Sequence, residues 1–183
     1  MKTLKKIDSL IPKKGEVFLL DTCILMYNFY TAGDYKKFIV KRCNDLFSKI
    51  IKADAKILIF PELMLEFFNL FIKLEYDMYL KKHGLCQDTV SYKNFRKTDE
   101  FQNVVAELRE VYLSQIKPYA IVTNSNIKAD DVFGFLDAVS ELDLNDLLIC
   151  KVAKNNNANL ITRDNDFLLS SLADSINLYY INV

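Results

Sequence analysis

Short runs of consecutive apolar residues alternate along this chain with longer stretches whose apolar positions recur every three or four residues. The first run, VFLL at 17–20, ends on a lone carboxylate, Asp21, and the small hydroxyl of Thr22 follows at once. KILIF at 56–60 runs into Pro61, YAIVT covers 119–123, NLIT covers 159–162, and a last apolar stretch spans 176–183. Unbroken apolar runs this short suit strands buried on both faces, as in a parallel sheet. Residues 1–15, broken by Pro12 and Gly15, read as a lead-in.

Between the runs the spacing is helical. From Asp34, an expected N-cap, Phe38, Ile39, Cys43, Leu46, Phe47 and Ile50 share a face that Lys37, Lys41, Lys49 and Lys52 avoid. The helix predicted over 61–82 is apolar around most of its circumference, leaving Glu62, Glu66, Asn69 and Lys73 as a narrow polar stripe. Such a helix must be covered on several sides, by another element or by a second subunit. His83 and Gly84 end it, and 85–98 is polar and turn-like. Phe101, Val104, Val105, Leu108, Val111, Tyr112 and Ile116 then mark an amphipathic helix that Pro118 stops. A helix over 129–142 is expected to turn Val132, Phe133, Leu136 and Val139 inward, and a short helix follows over 144–154.

Strands alternating with helices predict a three-layer α/β/α domain around a mostly parallel sheet of about five strands, with right-handed crossovers. Nothing divides the chain, so residues 1–183 are expected to form a single domain with a long helical segment at about 75–118. No apolar run reaches the roughly 18 residues of a membrane span, and the basic N-terminus lacks a signal peptide's apolar core. Cys23, Cys43, Cys86 and Cys150 form no metal-binding or disulfide pattern and read as reduced thiols of a cytoplasmic protein. With 24 basic and 24 acidic side chains the formal charge is zero. That argues against nucleic-acid binding by bulk electrostatics alone, though not against a nucleic-acid enzyme whose carboxylates carry metal ions.

The candidate chemistry is acidic. Asp21 ends the first strand, Glu66 lies in the second turn of the helix after the second strand, Asp146 opens the helix in DLNDLLICKVA, and Asp164 and Asp166 follow the fourth strand. If the strands run parallel, all of these face one rim of the sheet, where α/β proteins place their sites. Each acid also has a structural explanation: a turn cap for Asp21, a solvent stripe for Glu66, an N3 carboxylate under the N-cap Asp143 for Asp146, an Asx turn for Asp164 and Asp166. Gathered together, carboxylates without metal would repel and some would protonate. With one or two Mg²⁺ or Mn²⁺ ions, hard cations suited to oxygen ligands, they would support hydrolysis of a phosphodiester.

In that order, VFLLDTCILMY, FPELMLEFFN, DLNDLLICKVA and LITRDNDF resemble the signature of the PIN-domain ribonucleases. The resemblance spans roughly 16–182 and implies a Rossmann-like, PIN-like fold and a metal-dependent endoribonuclease. By position it implies Asp21, Glu66, Asp146 and Asp164 as the four catalytic and metal-binding acids, and Asp166 as a further metal-binding acid. Asp143 stands where the family usually has a Ser or Thr cap, and Thr22 and Thr162 fit supporting hydroxyl positions. Many members are toxins paired with an antitoxin, whereas others process RNA without one; the segment at about 75–118 is longer than in the compact toxins. Arg163 beside the site, and Lys36, Lys37 and Lys41, are candidate contacts to the RNA backbone.

Other readings remain beside this one. A PIN-like fold used as a non-catalytic binding scaffold or assembly subunit would suit the zero charge and the apolar helix over 61–82, which also suggests a homodimer. A haloacid dehalogenase-type site would need a second Asp where Cys23 stands, and neither a GxGxxG turn nor a P-loop is present among four glycines. His83, at a helix end, reads as a cap.

Overall fold

The computed structural model describes residues 5–7, 10–171 and 175–182. Its strands are β1 (Lys5–Lys6), β2 (Val17–Leu20), β3 (Lys56–Ile59), β4 (Ala120–Val122), β5 (Asn159–Thr162) and β6 (Asn177–Tyr180). They form one sheet in the order β1-β6-β5-β2-β3-β4, and every pairing is parallel. Five of these are the expected strands. The sixth, β1, lies in the segment read as a lead-in and pairs with β6 through two residues, too few to leave a periodic trace. Residues 1–4, 8–9 and 183, part of the expected lead-in and last strand, lie outside the described residues.

Parallel strands need crossovers, and the helices supply them: α1 (Thr22–Phe29), α2 (Lys37–Lys52), α3 (Pro61–His83), α4 (Tyr92–Phe95), α5 (Asp99–Glu110), α6 (Ala129–Phe135), α7 (Leu144–Asn155) and α8 (Asp166–Leu169). From β2 the chain steps to β3 and β4, then returns past β2 to β5 and β6. Right-handed crossovers therefore send the connections before and after that reversal to opposite faces, which gives the expected three layers. The reversal falls between β2 and β5, whose register sets Leu20 opposite Ile161.

Burial follows the apolar runs. Phe18, Leu19, Leu160 and Ile161 are fully enclosed. On α3, Leu63, Met64, Phe67 and Phe71 are buried, with Phe67 set edge-on against Phe29 and Phe71. The α3 helix ends at Gly84, whose φ of 63° gives the left-handed C-terminal turn that glycine adopts without strain.

Three local expectations are corrected. Lys36, not Asp34, occupies the N-cap of α2. The amphipathic helix expected through Ile116 is α-helical only to Glu110; Val111–Ile116 widens into a π-helical turn. Pro118, just beyond it, has no amide to donate and cannot continue the α-helical ladder. The helix expected over 129–142 stops at Phe135 and leaves Val132, Phe133, Leu136 and Val139 exposed. The inward residues are Phe135, Ala138 and Leu142, which are also three and four apart, so the apolar stripe faces the other way.

Truncating Phe67 to Ala should cost about 3–5 kcal/mol, the cavity penalty of an enclosed aromatic ring. Urea unfolding measures it, and a loss under about 1 kcal/mol would mean that α3 is not held as described.

A candidate acidic site at the sheet's reversal point

Asp21 follows β2 at the N-cap of α1, but its side chain makes no capping bond. Its backbone amide continues the sheet by donating to the Ile161 carbonyl, 3.0 Å away. The carboxylate, 6 % exposed, accepts a 2.6 Å hydrogen bond at Oδ2 from Thr162 Oγ1 and a 3.1 Å one from Cys23 Sγ. Burial raises its pKa and the charge of Asp164 adds to this, while the Thr162 and Cys23 bonds oppose the rise. Thr162 Oγ1 also accepts from the Asp164 amide at 2.9 Å, and Asp164 Oδ1 accepts from the Asp166 amide at 2.8 Å. One threonine thus joins the end of β2 to the loop after β5.

Glu66, half-buried on α3, is raised by burial and by the charges of Asp21 and Asp143. Asp146 feels the whole group: burial, then Asp143, Asp21, Asp164 and Glu66, push its carboxyl up to about 8. Asp143 caps α7, accepting from the Asp146 amide at 2.9 Å, so its structural explanation holds while its charge still bears on the cluster. The structure therefore gathers Asp21, Glu66, Asp143, Asp146 and Asp164 at the reversal point. Asp166 is exposed on the first turn of α8 and is bound to the group only through its backbone amide.

The basic candidates separate. Arg163 Nη1 donates to the Tyr27 hydroxyl at 2.8 Å and the guanidinium lies over the Tyr27 ring, 5.7 Å from its centre. Lys41 pairs instead with Asp45 at 2.9 Å, and it, Lys36 and Lys37 are exposed at the start of α2. His83 pairs with Glu100 at 3.5 Å at the end of α3, a structural role. The sequence reading missed Cys23 as a donor to Asp21. The signal was present in the adjacency Asp-Thr-Cys, which puts a weak S–H donor two residues beyond the carboxylate.

A hard divalent cation suits this donor set. Among the described residues none of the five gathered carboxylates forms an ion pair. Thr22 Oγ1 is buried beside them, directed at Glu66 but short of a completed hydrogen bond. Oxygen donors, mutual repulsion and raised carboxyl pKa values are the electrostatics that a cation would relieve. In the side-chain conformations present, however, no three acidic, His or Cys residues among those described converge closely enough to hold an ion. Binding would require these side chains to close on it.

No protein-family model matches the sequence, and no curated protein does. Among solved structures the chain is similar to VapBC2 from Rickettsia felis, in a crystal structure bound to a DNA fragment from its promoter. The identity is 17 %, over 91 % of this chain and 99 % of that one, with a TM-score of 0.49. At that distance the likeness assigns no activity, ligand or partner. Among the described residues no helix is long and apolar enough to cross a membrane.

The Asp146 carboxyl holds its proton in the folded chain between 3.8 and about 8, where the unfolded chain has lost it. Folding therefore takes up protons, and metal-free stability falls as pH rises through that window. Asp146→Asn should raise the thermal midpoint of the metal-free protein at pH 7 and flatten this decline. Melting curves across the window, with chelator present, measure it; a lowered midpoint would mean that Asp146 is not held against like charge.

Proposed function

We propose that this chain is a divalent-metal-dependent endoribonuclease, the activity implied by its resemblance to the PIN-domain ribonucleases. The observation that carries the reading is the group of unpaired carboxylates at the β2–β5 reversal point, the usual ligand position of an α/β sheet. In this reading Asp21, Asp146 and Asp164 hold the ion, Glu66 ligates it or orients the attacking water, and Asp166 supports a second ion or its waters. The bound Mg²⁺ or Mn²⁺ would supply a more acidic water and stabilise charge on the phosphate under attack.

The chain's own groups set the geometry. Thr162 fixes Oδ2 of Asp21, and Asp143 sets the start of α7 and hence the position of Asp146. Arg163, steadied by Tyr27, is the cation best placed beside the site to meet an RNA phosphate. Toxin activity held in check by an antitoxin is the biological setting that the resemblance suggests. A second reading, a non-catalytic scaffold, is favoured by the one observation that no three ligands converge among the described residues.

Cleavage of a labelled single-stranded RNA with Mg²⁺, Mn²⁺ or EDTA decides between them. The expected result is cutting that requires metal and that Asp21→Asn and Asp146→Asn both abolish. No cutting, together with no rise in melting temperature on adding either metal, sinks the nuclease reading, because a native-state metal site must stabilise by mass action.

The homodimer is proposed on the face between α3 and α5, where Phe68, Ile72, Val105, Leu108 and Tyr112 border an apolar groove of about 320 Å³. Light scattering at tens of micromolar should return twice the 21.2 kDa chain mass; a monomeric mass removes the proposal.

A further inference from the structure

A second pocket, of about 380 Å³, opens between the latter half of α3 and α5, and none of the gathered rim carboxylates lines it. Its apolar wall is formed by Val104 and by the rings of Tyr79 and Phe95, whose centres lie 5.1 Å apart. Its polar wall carries Glu75, Glu100 and Glu107. Glu100 has His83 as a partner. Among the described residues Glu75 and Glu107 have no cationic partner, and Lys82, on the same wall, pairs with neither.

A buried hydroxyl stands behind these two acids. Tyr30 is 4 % exposed, packed edge-on against Phe71, and its hydroxyl is sealed from solvent without a completed hydrogen bond. Burial raises its pKa, and the adjacent Glu75 carboxylate and the charge of Glu107 raise it further. Glu107 is itself raised by burial and by Glu75. A buried polar atom without a completed hydrogen bond costs stability, and here it adjoins two carboxylates that, among the described residues, have no cationic partner.

We propose that this pocket binds an organic cation with an apolar stem, an alkylammonium or guanidinium group seated between Glu75 and Glu107. The stem lies along Tyr79, Phe95 and Val104, where the ring faces also attract the positive charge. The Tyr30 hydroxyl, behind the pocket wall, donates to Glu75 and holds that carboxylate in place for the ligand. An inorganic ion is the poorer occupant, because two aromatic rings line the pocket and, among the described residues, no three carboxylates converge there. The volume, at the lower end of the roughly 300–1,000 Å³ of ligand pockets, fits a small polyamine or a single basic side chain from a partner. The inference is independent of the proposed nuclease.

Calorimetric titration of the full chain at fixed ionic strength tests it, with spermidine and N-acetyl-arginine amide as probes and 1-hexanol as the uncharged control. One cation per chain should bind saturably and hexanol should not. Glu75→Gln with Glu107→Gln should weaken the cation at least about tenfold, as expected for charge-assisted bonds in a partly enclosed site. Glu107→Gln alone, on the exposed face of α5, cannot disturb the core and should show a smaller loss. Tyr30→Phe should weaken binding while the protein stays folded by circular dichroism. Binding of spermidine alone assigns the pocket to a free polyamine, and binding of the arginine derivative alone assigns it to a side chain. No saturable binding of either, equal binding of hexanol, or binding that the glutamate variants leave unchanged overturns the proposal.

Discussion

The 2.6 Å hydrogen bond from Thr162 to Asp21 is the interaction on which the acidic rim depends. It joins residues 141 positions apart and exists only because β2 and β5 pair in parallel with Leu20 opposite Ile161. A slip of one residue would turn every side chain of either strand to the other face. The same hydroxyl accepts from the Asp164 amide, so a single buried atom sets both the residue that follows one strand and the loop after its neighbour. The bond offsets part of the cost of enclosing a carboxylate, but the raised pKa of Asp21 shows that burial still prevails.

Around that bond the chain holds acids together against their repulsion. What restrains them is a sheet centre with no exposed side chain at Phe18, Leu19, Leu160 or Ile161 and an aromatic cluster of Phe29, Phe67 and Phe71 behind it. A well-packed interior can support a rim that opposes folding, and native proteins place such unfavourable groups at functional sites. The rim then has a reason to accept a cation that an ordinary surface lacks.

The sequence made the five longer strands legible because each is centred on a short apolar run, and it made the rim legible because each acid sits just after a strand or within the first two turns of a helix. The residues it misjudged were those whose surroundings periodicity does not record. Val132 and Phe133 are apolar at helical spacing, yet Phe135, Ala138 and Leu142 satisfy the same spacing and face the core. A short helix containing Gly134 and an acidic first turn gives no local signal to choose between the two faces. β1 is two residues long and is held by its neighbour rather than by its own composition. Cys23 was read as one more thiol, because its S–H reaches Asp21 only through the turn into α1, which residue type alone does not specify.

The last strand on one side of the sheet, β4, has a bare flank. Ile121 and Val122 are 42 % and 64 % exposed, and among the described residues no strand neighbours β4 on its outer side. Such a margin invites pairing between unrelated chains. Its three-residue length and the Lys117–Pro118 step before it limit how far such pairing could propagate. During synthesis that protection is thinner: β3 and β4 emerge well before β5, so a half-made sheet presents two open margins while β2 still waits for its second neighbour. Residues 123–162 must be delivered before β2 gains that neighbour, so the open margins last as long as their synthesis does.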